Sequence, residues 1–135
     1  MNKKVYTNKS LVKNLKEYST FSEILQFTSE RVPKKIFLIQ GNKKINFNEF
    51  NNLVNQCYNY FKYLKLQNGD VISAILPNSI EFLIIYFAAI RSRIIINPFP
   101  FHMSAQDVLT KLEIINPNKI FCSKKHVSEF SKSKY

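Results

Sequence analysis

The chain has 135 residues, of which 45% are hydrophobic, and this composition fits one domain with a core and excludes a disordered or fibrous protein. Its most apolar run, residues 82–90, is shorter than the roughly 20 residues that a bilayer span needs, so we expect no membrane span. The basic start lacks the apolar segment of a secretory signal, and we therefore expect a cytoplasmic chain.

The formal net charge of +11 raises the possibility of a nucleic-acid partner. The lysines occur singly or in pairs along the chain, and three arginines are available for paired contacts to phosphate or guanine. The sequence contains no signature of a nucleic-acid-binding module. It therefore gives no clear indication of nucleic acid as a partner, and a small basic α/β module that binds nucleic acid or a protein stays as the alternative function.

The two cysteines, Cys57 and Cys122, stand far apart in the sequence. Neither has a second Cys or a His at the spacing of a metal-ligand pair, so neither a zinc site nor a disulfide framework is indicated. We interpret both as reduced thiols of the core type.

Four predicted helices begin with a capping residue that is followed three positions later by an acid. This is the pattern of a capping box or its Asn/Asp variant, and each cap contributes about 1 kcal/mol. The pattern predicts helix starts at positions 20, 46, 78 and 104. The four pairs are Thr20 and Glu23, Asn46 and Glu49, Asn78 and Glu81, and Ser104 and Asp107.

The first strand is predicted at KIFLIQ, residues 35–40, and the following GNKK is interpreted as a turn. In residues 46–65 the apolar positions recur every three or four residues, which predicts an amphipathic helix. Phe61 lies on the apolar stripe of this helix. We therefore interpret its neighbouring tyrosines as lying along the edges of a core and not as a platform for base stacking.

Gly69 follows the long helix and is interpreted as a left-handed residue that closes its last turn. The next segment, DVISAIL (70–76), is apolar on both alternating faces, as in a strand that is covered on both sides. Pro77 ends this strand. An anion could bind the start of the helix that follows, but the side chains of Asn78 and Glu81 are predicted to occupy its free N–H donors.

The rest of the chain continues the alternation, with a helix over 78–93, a strand at 94–97, a helix over 104–115 and a strand at 118–123. Such alternation predicts an α/β fold with a partial, doubly wound, mainly parallel sheet and helices on both faces. We divide the chain into a basic N-terminal lead-in (1–19), a partial domain (20–125) and a truncated polar tail (126–135).

The order of these features resembles the N-terminal portion of the AMP-dependent synthetase/ligase superfamily, the adenylate-forming AMP-binding enzymes that include acyl-CoA synthetases. NFNEF (46–50) is similar to the family's Thr-Tyr-x-Glu-Leu, and GDVI (69–72) is similar to its Gly-Asp-x-Val. LPNS (76–79) matches the family's Leu-Pro-Asn-Ser residue for residue. The resemblance runs from about Thr20 to Ser123. The family's glycine after the apolar helix falls at Arg93, so this helix end is expected to need another closure.

The resemblance implies an activity in which ATP activates a carboxylic acid as an acyl-adenylate and the acyl group passes to a thiol such as CoA. Family members use ATP, Mg²⁺ and CoA. Their glycine-rich phosphate loop, their acid for Mg²⁺, their ribose aspartate and their catalytic lysine have no counterpart in this chain. The glycines of the sequence, Gly41 and Gly69, are both assigned to turns, so a loop that cradles phosphate cannot be built here.

We therefore predict no catalytic, cofactor-binding or metal-binding residue in this chain and no cofactor bound by the chain alone. His102 occupies a position where some aryl and acyl-CoA ligases have His or Arg, but a lone histidine is interpreted as a loop residue. The predicted partner is the remainder of a split synthetase, while a truncated product and an inactive remnant stay open as alternatives. We expect no adenylation by this chain alone, and the sequence does not decide whether the chain is otherwise an enzyme.

Overall fold

The computed structural model describes residues 20–130. The predicted lead-in (1–19) and the last five residues of the predicted tail (131–135) lie outside them. The described chain alternates helices and strands in the order that follows. The elements are α1 (Phe21–Arg31), β1 (Ile36–Gln40), β2 (Lys43–Asn46), α2 (Phe47–Tyr63), β3 (Val71–Ile75), α3 (Ile80–Ser92), β4 (Ile95–Pro98), α4 (Ala105–Ile115), β5 (Lys119–Cys122) and α5 (Lys124–Phe130).

The strands form two sheets. β1 and β2 pair in an antiparallel hairpin, while β4, β3 and β5 form a parallel sheet with β3 in the centre. In the parallel sheet Ser73 lies opposite Asn97 on one side and Ile120 on the other. The predicted α/β fold with a parallel sheet is thereby confirmed.

Helices cover both faces of the parallel sheet because alternate residues of β3 enter two different cores. Ile72 belongs to a core that includes residues of α1, α2 and α3, and Ile75 belongs to a core that includes residues of α4 and α5. Both side chains are fully buried, which confirms that β3 is covered on both sides. The first core contains Leu25, Ile45, Phe50, Val54, Phe61, Ile72, Ile80, Ala88, Ala89 and Ile94, and the second contains Ile75, Phe99, Val108, Leu112 and Phe130.

The predicted cap at the start of α2 is a complete capping box. The backbone N–H of Glu49 donates to Asn46 Oδ1 at 2.9 Å, and the backbone N–H of Asn46 donates to Glu49 Oε2 at 2.9 Å. The same reciprocal pair joins Thr20 and Glu23 at the start of α1. At α4 the Ser104 hydroxyl caps the helix by accepting from the N–H of Asp107. These three helix starts are confirmed.

The fourth predicted cap is wrong by one residue. Ser79, and not Asn78, caps α3, because the backbone N–H of Phe82 donates to Ser79 Oγ at 3.2 Å. The N–H of Ile80 is bound by a distant residue, Gln40 at the end of β1, whose Oε1 accepts it at 2.9 Å. The hairpin is thus tied to the first turn of α3.

The interpretation of Gly69 as the closing residue of α2 is also wrong. Lys65 takes the left-handed conformation, with φ 59°, and the N–H of Leu66 donates back to Phe61 O at 3.0 Å, as in a Schellman motif. Gly69 does have a positive φ of 88°, but it lies in the turn in which the N–H of Asp70 donates to Gln67 O. A glycine suits that turn because it lacks a Cβ.

Arg93 itself ends α3 in the left-handed conformation. Because the resemblance places the family's glycine at this position, the helix was expected to end in a different way. The φ of Arg93 is 55°, in the left-handed region, and the N–H of Ile94 donates to Ala89 O at 2.9 Å. This conformation destabilises a residue that has a Cβ by about 1–2 kcal/mol. The chain therefore carries local strain where glycine would carry none.

Replacing Arg93 by glycine is expected to raise the free energy of unfolding by about 0.5–1 kcal/mol, the relief of left-handed strain less the entropy that glycine loses on folding. Arg93→Ala is the matched control, because it removes the same charge and side chain but keeps the Cβ. Urea unfolding followed by far-UV circular dichroism measures both variants. Equal stability of the glycine and alanine variants would contradict the left-handed assignment.

Two elements were not predicted. Lys43 and Lys44, interpreted as part of a turn, belong to β2, and the turn itself consists of Gly41 and Asn42. Gly41 has φ 57° and occupies the first position of the two-residue loop, where type II′ hairpin turns prefer glycine. Residues 126–130, which the sequence analysis assigned to a polar tail, lie in α5.

Candidate functional site

A cavity of about 430 Å³ lies at the carboxyl ends of β3 and β4. Ligands of open α/β sheets bind at this end of the strands, in the crevice where the chain leaves toward opposite faces. Here α3 leaves β3 on one face and α4 leaves β4 on the other, so the cavity lies at such a point. Its lining comprises Leu76, Pro77, Asn78, Phe82, Pro98, Phe99, Pro100, Phe101 and His102.

The lining of this cavity is mainly apolar and aromatic. Phe82, Phe99 and Phe101 provide rings, and the polar side chains of the lining are Asn78 and His102. Among residues 20–130, the lining contains no Lys, Arg, Asp or Glu. Such a wall can hold a hydrocarbon or aromatic group, but it has no fixed charge with which to hold a triphosphate or Mg²⁺.

The structure brings together two residues that the sequence analysis considered separately. Asn78 follows β3 and His102 follows β4, and both line the cavity. Ser79 caps α3, so Asn78 does not cap this helix and lines the cavity instead. His102 is exposed, as a loop residue is expected to be.

His126 was not singled out from the sequence, yet it supports the loop that carries His102. Its side chain is 2% exposed, and its ring meets the ring of Phe101 edge-on with centroids 5.2 Å apart. Ser123 Oγ lies 3.1 Å from His126 Nδ1, and Phe130 stacks on the ring. The four-residue spacing of His126 and Phe130, one helical turn, is the signal in the sequence that could have indicated this packing.

The start of α3 is not an open anion site. Gln40 and Ser79 accept two of its free N–H groups, as described above. The Glu81 carboxylate accepts a hydrogen bond from its own backbone N–H, and this is the main reason that the pKa of Glu81 lies below its ordinary value. Desolvation partly opposes this effect, while a hydrogen bond with Ser79 and the charge of Lys43 lower the pKa further. The preference for a cap over an anion site is upheld: Glu81 accepts one of these N–H groups as predicted, while Ser79 and Gln40 stand in place of the predicted Asn78.

The two cysteines are free and half-buried. Burial raises the pKa of Cys57 from its ordinary value of 9.0 to about 11, and it raises the pKa of Cys122 in the same direction. Thiols with a raised pKa make poor nucleophiles at neutral pH. Within residues 20–130 no group of three His, Cys, Asp or Glu side chains is placed to hold a metal ion.

Cys57 is expected to react with iodoacetamide at pH 8 at least about tenfold more slowly in the folded chain than in urea, because a higher pKa lowers the thiolate fraction more than it raises nucleophilicity. Since the folded-state pKa is raised, the contribution of Cys57 to stability is complete below pH 9.0 and is lost as the pH rises toward about 11. Peptide-resolved mass spectrometry measures the rates. Equal rates in the two states would show that Cys57 is not buried as described.

Among the helices of the described part, none has the length and apolarity to cross a membrane.

Comparison with known proteins gives one family match and several structural matches. The model of the AMP-binding enzyme family matches residues 25–134. A search of curated proteins found no match to the chain.

The structural matches are to parts of larger ligases. The N-terminal domain of FACL13 from Mycobacterium tuberculosis, solved with an inhibitor, matches with a TM-score of 0.79 and 16% identity over 84% of this chain and 29% of that chain. The anthranilate CoA ligase AuaEII in complex with anthranoyl-AMP matches with a TM-score of 0.78 and 16% identity over 84% and 22% of the two chains. A benzoate CoA ligase from Burkholderia xenovorans LB400 matches with a TM-score of 0.77 and 11% identity over 84% and 23%. The chain thus spans less than a third of each, and the likeness at these identities concerns the fold.

Proposed function

Because this chain belongs to the AMP-binding enzyme family, we propose that it is the N-terminal part of an AMP-dependent acid–thiol ligase and that it does not form an acyl-adenylate alone. The observation that carries this proposal is the pairing of a family fold with an uncharged cavity at the carboxyl ends of the strands. The fold fits a ligase scaffold. The part of the cavity lining that the structure describes contains no side chain that could neutralise the phosphates of ATP.

The role we assign to the cavity is one wall of the pocket for the organic acid. Adenylation requires the carboxylate to attack the α-phosphate of ATP, so the charged groups of the acid and of ATP must meet where cations are fixed. The rest of the acid needs an apolar surface. The rings of Phe82, Phe99 and Phe101 supply such a surface, and solved relatives that bind anthranoyl-AMP or act on benzoate have the same fold.

When bound, ATP and Mg²⁺ would supply the activated phosphate and its neutralising charge. Residues of this chain fit the apolar part of the substrate and do not fit the nucleotide. We propose that the nucleotide and metal are held by a polypeptide that carries the rest of the domain, that CoA or another thiol accepts the acyl group, and that the protein works in the cytoplasm.

The test is pyrophosphate release from ATP in the presence of benzoate, anthranilate or fatty acids. The chain alone is expected to release none above the buffer rate. The chain co-purified with the polypeptide encoded immediately downstream is expected to release pyrophosphate only when an acid is present. The downstream polypeptide alone serves as the control.

Two results would contradict the proposal. Acid-dependent pyrophosphate release by residues 1–135 alone would show that the nucleotide site lies within this chain. A downstream polypeptide without a phosphate loop and catalytic lysine, or with both but inactive in the presence of this chain, would exclude the split ligase.

A further inference from the structure

A second cavity, of about 390 Å³, lies between the carboxyl end of β4 and α4, and we call it the α4 cavity. Its volume falls in the range of about 300–1,000 Å³ that is typical of small-molecule sites. It shares residues 98–100 with the cavity described above, but its other side chains come from β4, α4 and the loop between them. These other lining residues are Asn97, Met103, Lys111, Ile114 and Ile115.

Two polar side chains lie on the face of the sheet that α4 covers. Ile75 of β3 and Phe99, directly after β4, belong to the second core, which contains residues of α4. Side chains two positions apart on a strand share a face, so Ser73 and Asn97 also lie on this face. The two residues pair in register between β3 and β4. They therefore lie side by side beneath α4.

The polar groups of this region lack partners in the protein. Ser73 is 0% exposed, and within residues 20–130 its hydroxyl has no hydrogen-bond partner. In the same part of the chain, the side chain of Asn97 forms no hydrogen bond and Lys111 forms no ion pair. A buried polar group without a partner destabilises a fold, so such groups call for an explanation. A polar ligand in the α4 cavity would complete the hydrogen bonding of Asn97.

The lining of the α4 cavity indicates the charge and the shape of that ligand. Lys111 is the one ionisable side chain that residues 20–130 contribute to the lining, and it is a cation. Its ammonium and the amide of Asn97 can both donate to an anionic group, while the apolar side chains of the lining can hold an apolar body. We propose that the α4 cavity binds a small organic monoanion, with one anionic group on a compact apolar body. This inference goes beyond the proposed function and does not depend on it.

An NMR titration of the isotope-labelled chain tests this site. The probes are phenylmethanesulfonate, which is an anion, and phenylmethanesulfonamide, which has the same apolar body and is uncharged at neutral pH. The sulfonate is expected to shift the signals of the Asn97 side-chain amide and of the Lys111 and Ile115 backbone amides until they saturate. The sulfonamide is expected to bind about three- to tenfold more weakly, because hydrogen bonds to charged groups are the stronger ones.

Three substitutions measure the contribution of charge. Lys111→Gln is expected to weaken binding of the sulfonate about three- to tenfold and to leave binding of the sulfonamide within about twofold. Lys119→Gln is the matched control, since Lys119 is an exposed lysine of β5 outside the lining, and both affinities should stay within about twofold. Asn97→Asp places a negative charge in the lining and should abolish the preference for the sulfonate. Circular dichroism establishes that the variants are folded. If Asn97→Asp is unfolded, Lys111→Gln decides.

Three results would overturn this inference. The first is equal affinity for the two probes, or an affinity for the sulfonate that Lys111→Gln does not change. The second is a set of shifts centred on Asn78 and His102, which would place the anion in the other cavity. The third is the absence of saturable shifts at Asn97 and Lys111. Each of these would leave the split ligase standing, because the pyrophosphate assay does not depend on the α4 cavity.

Discussion

Replacing Phe50 by alanine is expected to lower the free energy of unfolding by about 3–5 kcal/mol, the cost of losing a buried aromatic ring and leaving a cavity. Phe50 is 0% exposed and lies in α2 between the hairpin and α3. Its ring centroid is 4.9 Å from that of Phe37 in β1 and 5.4 Å from that of Phe87 in α3. The substitution therefore removes contacts that hold three elements together, and little nearby backbone is free to collapse into the space.

The matched control for Phe50→Ala is Tyr63→Ala at the end of the same helix. Tyr63 is 79% exposed and contacts the ring of Tyr60, with centroids 6.1 Å apart. Its loss is expected to change stability by less than about 1 kcal/mol. Urea unfolding at several chain concentrations measures both variants. A cost for Phe50→Ala as small as that for Tyr63→Ala would show that the first core is not packed as described.

The apolar pattern of α2 predicted only in part which of its aromatic side chains are buried and which are exposed. Spacings of three and four residues placed Phe61 in the core, and its side chain is 1% exposed. The tyrosines were expected along the edges of the core, but Tyr60 is 50% exposed and Tyr63 79%. Periodicity gives the direction of a side chain from the helix axis. It does not tell how far the neighbouring elements extend, and near the end of α2 they do not reach Tyr63.

Local signals predicted most of the elements, but they could not predict contacts between residues that lie far apart in the sequence. The caps at Thr20, Asn46 and Ser104 act within one helical turn and are readable from four residues. Ser79 caps α3 through an equally local contact, but the N–H of Ile80 also donates to Gln40, which lies 40 positions earlier in the sequence. No pattern of short range could indicate that contact.

Helix ends were predicted less well than helix starts, for a physical reason. Left-handed closure is expected at glycine or asparagine, and Asn116 at the end of α4 follows that rule with φ 47°. Lys65 and Arg93 adopt the same conformation against their intrinsic preference. The surrounding packing outweighs a local penalty of about 1–2 kcal/mol at each.

The candidate site was beyond prediction because it depends on how two loops approach each other. Asn78 and His102 are 24 positions apart in the sequence and meet at one cavity. Their placement depends on the parallel pairing of β3 with β4, whose strands a sequence pattern can suggest but whose register it cannot fix. The absence of catalytic and cofactor-binding residues from this chain stays a prediction, which the pyrophosphate assay tests.

Arg91 connects three helices, and its contacts set the second large effect that we expect. Its Nε donates to Ser22 Oγ of α1 at 2.8 Å, and one terminal nitrogen donates to Asn51 Oδ1 of α2 at 2.9 Å. The other terminal nitrogen donates to Asn55 Oδ1. Burial lowers the pKa of Arg91, an effect that the nearby Tyr58 partly opposes. The guanidinium is thus held by neutral acceptors in a half-buried position, where each hydrogen bond counts more than at the surface.

Arg91→Met keeps much of the apolar length of the side chain and removes all three hydrogen bonds, so it is expected to lower the free energy of unfolding by about 2–3 kcal/mol. The stability of Arg91→Lys is expected to lie between those of the unaltered chain and Arg91→Met, because an ammonium cannot reproduce the planar fork of donors. Arg93→Met, at an exposed position two residues away, is the control and is expected to stay within about 0.5 kcal/mol. Urea unfolding gives the energies, and hydrogen exchange in α1 gives the location of the damage. If Arg91→Met leaves the protection of Phe21–Arg31 unchanged, the guanidinium does not hold α1 against the domain.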